Sequence, residues 1–352
     1  MPHSLTHTED GRSHCAPPVF FCFVAARGGG AFCLSLQNAH GGRNRRKAHT
    51  RMTLYPIKKA ALALRDLPRF FFRTRRPRVI MTLLVKNEEE LLERNLLFHR
   101  AMGVDGFIVT DNNSTDSTPA VIERYRAKGW IVEVVKETAT GYEQKRWVDR
   151  MAWSAKTRHG ADWIINADAD EFWYAPQGLK AAFAATRANI LRCPIVNLWP
   201  DERTGSAEWT RYACPVPNPA AYGLSPHSIF GRANYKVAHR AAGYLQISMG
   251  NHKVSMFPSR RSDSDITVFH LGVRGKAQFV AKMEQGGREL AAHKGRHGGR
   301  HWKYFYNIYK EGRLGEEYEN VIGRSQFARL EADGYIGTDT RLRDFLRAHG
   351  IR

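Results

Sequence analysis

Three acidic side chains in four residues, Asp168-Ala169-Asp170-Glu171, follow the apolar run Trp163-Ile164-Ile165-Asn166-Ala167. Carboxylates this close repel one another unless a cation or solvent relieves them. Paired carboxylate oxygens suit Mg²⁺ or Mn²⁺, hard cations that bridge protein acids to a substrate diphosphate. The bland alternative is a solvated acidic turn. Position argues against it, because the cluster ends a buried-strand pattern inside a stretch of alternating strands and helices, where ligands gather at the carboxyl ends of strands. Two further polar clusters close strand patterns upstream: Lys86-Asn87-Glu88 and Asp111-Asn112-Asn113-Ser114-Thr115-Asp116. Each alone reads as an ordinary turn. Three along one sheet edge describe a pocket of amide, carboxylate and metal-binding groups.

The elements that position these clusters follow from the hydrophobic period. Residues 79–85 are a short apolar run, read as a buried strand. A helix is expected to open at Lys86 or Asn87, with Glu88, Glu89 and Glu90 in its first turn, where acids suit the positive end of the dipole. Leu91, Leu92, Leu96, Phe98 and Met102 share its apolar face, and Gly103 ends it. Residues 105–110 predict a second strand, and Ser114 or Asp116 caps a helix running to Lys128. A third strand at 130–135, a helix at 142–159 and a fourth strand at 161–167 follow. A helix at 177–187 and a strand at 189–195 extend the series. This alternation predicts an α/β fold, a Rossmann-like mostly parallel sheet flanked by helices, with its core at 79–195. Residues 196–310 read as the other side of the same domain, loop-rich and aromatic to 265 and helical at 278–293. Residues 311–352 read as C-terminal helices, completing a helical, loop-rich extension.

The 352-residue chain carries a net charge of +20. Residues 1–78 hold 15 Lys and Arg against 3 Asp and Glu, so the excess is concentrated at the front, and the remaining 39 against 31 are only mildly basic. That distribution fits an anionic sugar nucleotide or a membrane surface at least as well as DNA. Residues 1–51 lack periodicity and read as a disordered leader, with Met52 as an alternative start. Residues 52–78 mix Leu and Phe with Lys and Arg, as in a basic amphipathic helix that touches anionic lipid. The competing expectation is a helix packed on the domain's own edge. Cys15, Cys22, Cys33, Cys193 and Cys214 show neither a disulfide framework nor zinc spacing, which points to a reducing, cytoplasmic setting. No stretch reaches the roughly 18 apolar residues of a spanning helix.

The run at 81–118, MTLLVKNEEELLERNLLFHRAMGVDGFIVTDNNSTDST, followed at 163–172 by WIINADADEF, resembles the family-2 glycosyltransferases of GT-A fold. It is most similar to the branch with KNE, DNNSTD and DxDEF motifs. The likeness is strong over 79–195 and weaker to about 310. It implies an inverting transfer of a sugar from a nucleotide-diphosphate donor to a hydroxyl of a cell-envelope glycan or lipid-linked saccharide. It implies that Val85, Lys86, Asn87, Glu88 and Asp111 face the nucleotide. Asp168 would face the ribose or metal, and Asp170 would bind the Mn²⁺ or Mg²⁺ that bridges the diphosphate. Where many relatives carry Ala-Arg-Asn, this chain has Gln144-Lys145-Arg146, so Arg146 takes the matching diphosphate position. Enzymes of this fold often supply a late His to the metal or diphosphate, and Val268-Phe269-His270 fits that place. Inverting transfer needs a carboxylate base within about 2.6–3.2 Å of the acceptor hydroxyl; Asp201 and Glu202 are the candidates, with Glu208 behind them.

Two other classes compete. An Asp-x-Asp phosphotransferase or phosphatase wants its nucleophile after the first strand, whereas this pair follows the fourth. A basic nucleic-acid binder would show a zinc-finger, RNP or helix-turn-helix signature, and none is visible. Peripheral contact with the inner face of an anionic membrane remains an expectation.

Overall fold

The computed structural model describes residues 59–71, 74–138, 144–291 and 300–352. The expectations of a disordered leader and of a start at Met52 lie outside the described residues. All described residues fall in one unit, Thr50–Arg352.

Strands β1 (Val79–Val85), β2 (Gly106–Asp111), β3 (Ile131–Lys136) and β4 (Trp163–Ala167) are mutually parallel, with β1 between β2 and β4. Side chains alternate across the pleat. Val79, Met81 and Leu83 therefore meet Leu92, Leu96 and Phe98 of helix Leu92–Ala101 and Val121 and Ile122 of helix Thr118–Ala127. Ile80 faces the other way, joining Ile108, Ile164 and Val148, Met151 and Ala155 of helix Gln144–Thr157. The α/β class and the parallel core thus stand as the sequence implied.

The second half of the sheet is mixed. The order continues through β8 (Tyr235–Arg240), β6 (Ile190–Leu198), β7 (Arg211–Ala213) and β13 (Ile336–Thr338). The strand expected to follow β4 does not lie beside it. β8 enters antiparallel between β4 and β6, which brings the start of β8 to the carboxyl end of β4. β5 (Glu171–Tyr174) and β12 (Thr267–His270) pair antiparallel, and β12 also runs parallel to β6. β11 (Arg261–Asp263) adds to β6, while β9 (Tyr244–Ile247) and β10 (Val254–Met256) form a separate hairpin.

The first helix begins at Leu92, not at Lys86 or Asn87. Residues 86–91 are instead tied to the turn after β2. Asn87 adopts φ 53°, in the left-handed region that Asn tolerates better than most residues. Its side-chain oxygen accepts the Thr115 N–H at 2.8 Å, Glu88 N–H donates to Thr118 Oγ1 at 2.8 Å, and Glu89 N–H donates to Asp116 Oδ2 at 3.1 Å. Asp116 also accepts the Thr118 N–H at 2.9 Å, satisfying a first-turn donor of the next helix.

The C-terminal part forms helices Lys276–Ala291, Arg300–Lys310, Leu314–Ile322, Phe327–Ala332 and Arg341–Ala348. The first two pack at a separation that only glycine permits. A Cβ on Gly286 would lie 2.1 Å from the Trp302 ring, and one on Gly287 would lie 2.5 Å from Tyr306.

Residues 59–65 are helical, and Lys59 and Ala63 of this stretch, with the following Asp66, turn inward. Lys59 pairs with Asp149 at 2.5 Å and Asp66 with Lys156 at 2.6 Å, so this stretch docks on the domain through helix Gln144–Thr157. Its outer face carries Arg65 and a 55% exposed Leu64. No helix among the described residues is long and apolar enough to cross a membrane.

Candidate active site

The three polar clusters meet at the carboxyl ends of β1, β2 and β4. Val85 is in register with Asp111, and Leu83 with both Val109 and Ala167. Asp111 is buried and its Oδ1 accepts the Ser114 N–H at 3.0 Å, shaping the turn that faces Asn87. Lys86 forms an ion pair with Glu289 on helix Lys276–Ala291, so that helix roofs the first cluster. Arg146 is exposed near the start of helix Gln144–Thr157.

The acidic loop is held from below by a helix. Asn95 Nδ2 donates to the carbonyls of Ala169 and Glu171, both at 2.9 Å. One turn later, His99 Nε2 accepts the Trp173 N–H at 3.0 Å, which leaves Nδ1–H to donate to Asn95 O at 2.9 Å. Burial drives the His99 pKa down to about 3, so the ring is neutral and this tautomer is retained. These two polar residues at i, i+4 sit among the apolar positions of their helix. Two polar residues on the apolar face of a helix are the sequence signal for such a positioning role.

Two lysines relieve the repulsion among the acids. Lys236, delivered by antiparallel β8 and only 6% exposed, reaches Asp168 at 3.1 Å and Glu171 at 2.6 Å. Burial opposes its charge, but the two carboxylates outweigh burial and keep the ammonium protonated. Lys282, from helix Lys276–Ala291, lies 2.7 Å from Asp170 Oδ2. Burial likewise opposes ionisation of Asp170, yet the cations Lys282, first, and Arg274 hold its carboxyl well below the usual range. Neither lysine was among the residues expected from sequence, because each joins the site from a separate element that pairing and packing bring there.

His270 ends β12, in register with Glu171 on one side and Asn197 on the other. Its Nδ1 lies 2.9 Å from Asn197 Oδ1 and its Nε2 3.8 Å from Asp170 Oδ1. An amide oxygen only accepts, so Nδ1 carries the proton and the Nε2 lone pair faces Asp170. Burial lowers the His270 pKa against the pull of Asp170, which favours the neutral ring.

Arg274 stands beside this group. It contacts Glu88 at 3.4 Å and Glu90 at 3.0 Å, while its Nη1 is buried without a hydrogen-bond partner. Burial raises the Glu88 pKa to about 7, with Asp170 adding to the effect and Lys282 opposing it.

Of the expected bases, Asp201 is clasped by Arg203 at 3.1 Å. Glu202 accepts from Tyr318 and from Arg324, the latter at 2.7 Å, and its Cγ lies 3.6 Å from where a Cβ on Gly275 would stand, next to Arg274. Glu208 pairs with Arg347.

Among the described residues no three His, Cys, Asp or Glu side chains form a preassembled metal cage. The donor set nonetheless fits a hard divalent ion. Asp168, 36% exposed, and Asp170 offer carboxylate oxygens, His270 offers an oriented nitrogen lone pair, and such ions commonly take one or two protein carboxylates with substrate phosphates supplying the rest.

No family model matches the chain. A glycosyltransferase family 92 protein of Ricinus communis is 24% identical over 134 residues, which is 36% of this chain and 23% of that protein's length. Among solved structures, the mannosyltransferase PcManGT from Pyrobaculum calidifontis, in complex with GDP-Man and Mn²⁺, is 16% identical at a TM-score of 0.37, covering 86% of this chain and 90% of its own. TarS residues 1–349 from S. aureus are 13% identical at a TM-score of 0.35, covering 73% and 75%.

Proposed function

We propose that this chain is a metal-dependent glycosyltransferase of GT-A type, moving a sugar from a nucleotide-diphosphate donor to a hydroxyl acceptor with inversion. The observation that carries the reading is the placement of Asp168, Asp170 and the Nε2 lone pair of His270 at the carboxyl end of a parallel sheet. The named activity of the Ricinus communis relative agrees with it over the shared 134 residues.

In this reading Val85, Lys86, Asn87, Glu88 and Asp111 form the nucleotide end of the pocket, with Arg146 toward the diphosphate. Asp170, His270 and Asp168 would hold Mn²⁺ or Mg²⁺. A bound divalent ion acts as a Lewis acid on the departing nucleoside diphosphate. Arg274 supports the same leaving group: its unpartnered Nη1 is a buried donor that an incoming phosphate oxygen would satisfy. Of the two candidate bases, Glu202 borders Gly275, the residue after Arg274, though Tyr318 and Arg324 hold it as Arg203 holds Asp201. The acceptor is a glycan or lipid-linked saccharide. The phosphatase reading loses ground because Asp168 and Asp170 are each paired with a lysine, which weakens a carboxylate as a nucleophile.

Replacing Asp170 tests the assignment. Asp170→Ala should abolish Mn²⁺-dependent binding of nucleotide sugar, measured by calorimetry, with circular dichroism unchanged. Retained metal-dependent binding and transfer would remove Asp170 from the site.

A further inference from the structure

The two lysines on the acidic loop are not equivalent. Lys236 lies on a central strand, is 6% exposed, and spans two carboxylates. Lys282 has one carboxylate partner, is 30% exposed, and projects from a roof helix on a long flexible stem. The carboxylate it pairs with is only 4% exposed, with Oδ2 against the ammonium and Oδ1 facing His270. A buried carboxylate must keep a cationic partner. One oxygen of Asp170 therefore already serves a cation, at the place where a divalent ion would be held. Arg274 supplies a second cation close by, with one buried N–H group unpartnered.

We infer that Lys282 is the resident counter-cation of Asp170, a positioning residue that releases this carboxylate only when a diphosphate arrives to take the ammonium. Lys236 stays in place and keeps Asp168 and Glu171 paired throughout. The arrangement sets the order of loading. The divalent ion alone competes with Lys282 and binds weakly. With a nucleoside diphosphate present, Lys282 has an anionic partner of its own, so ion and nucleotide favour each other's binding. The inference rests on the metal-dependent reading above, and its test separates the two.

The experiment is titration of the full chain with MnCl₂, followed by electron paramagnetic resonance of free Mn²⁺, first alone and then with UDP or GDP. The variants are Lys282→Met, Lys282→Gln and Lys282→Arg, each checked for fold by circular dichroism. Without nucleotide, Lys282→Met and Lys282→Gln should bind Mn²⁺ at least about tenfold more tightly than wild type, and the gain in Mn²⁺ affinity on adding nucleotide should shrink. Lys282→Arg, which keeps the cation, should match wild type. A lysine that merely supports the fold would not raise metal affinity when removed. If wild type binds Mn²⁺ with nucleotide but the Met and Gln variants bind the ion alone no more tightly, the inference is overturned and the functional reading survives. If neither wild type nor variant binds Mn²⁺ with any nucleotide, the functional reading fails and the inference with it.

Discussion

Asn197 fixes the ring of His270: its Oδ1 lies 2.9 Å from Nδ1, on the neighbouring strand and in register, and this turns Nε2 toward Asp170. Partners of this kind set the tautomer of a metal-binding imidazole and typically account for 10–100-fold in metal affinity. Asn197→Ala should therefore weaken nucleotide-supported Mn²⁺ binding by roughly tenfold or more, beyond the stability lost with the Asn197 Nδ2–Ile229 O hydrogen bond. An unchanged Mn²⁺ titration would show that His270 needs no such support or binds no metal.

Asn95 acts one step further out. Its amide holds the Ala169 and Glu171 carbonyls, the backbone on either side of Asp170. Loss of one partner leaves buried polar groups unsatisfied, at about 1–3 kcal/mol. Asn95→Ala should lower unfolding free energy by that order in urea and also weaken metal-supported nucleotide binding. Loss of stability with intact binding would mean the loop keeps its shape unaided.

Two buried histidines set an acid limit. Burial lowers His99 to about 3 and His239 to about 4, against an ordinary value near 6.5. Below pH 6.5 the unfolded chain takes up protons that these rings refuse, so stability is present above 6.5 and falls as pH drops toward 4. Each ring contributes a slope of about 1.4 kcal/mol per pH unit in that window. Urea midpoints measured from pH 7 to pH 4 should show this decline, reduced in His239→Gln. A flat profile in wild type would indicate that neither ring is held neutral.

The roof hairpin depends on close approach of its helices. A Cβ at Gly287 would stand 2.5 Å from Tyr306. Alanine favours a helix interior by about 1 kcal/mol over glycine, but overpacking typically costs about 1–3 kcal/mol. Gly287→Leu should lower the melting temperature and weaken nucleotide binding through the displaced helix carrying Lys282. Unchanged values for both would show that the two helices separate freely.

The parallel half of the fold was legible because β1, β2 and β4 are short, mostly apolar runs and their loops carry distinctive polar clusters. Asp168 and Asp170, just past the end of β4, and His270, the last residue of β12, were conspicuous in the sequence for the same reason. Lys236 and Lys282 were not, since a lone lysine has no periodic signature and its role depends on which strand or helix pairs with the site. β8 illustrates this: Lys236 enters only because β8 runs antiparallel beside β4, a pairing that local sequence does not encode. The helix start was misplaced because Glu88, Glu89 and Glu90 suit a helix N-terminus. Here, however, Glu88 and Glu89 donate their N–H groups to Thr118 and Asp116, and the Glu88 and Glu90 carboxylates are drawn to Arg274.

Metal-dependent donor binding can be read by thermal shift with UDP-, GDP-, CDP- and dTDP-sugars, each with and without Mn²⁺. At least one nucleotide sugar should raise the melting temperature, the rise should require Mn²⁺, and Asp170→Ala should remove it. A protein that no nucleotide sugar stabilises, or one stabilised equally well without a divalent ion, would contradict metal-dependent donor binding.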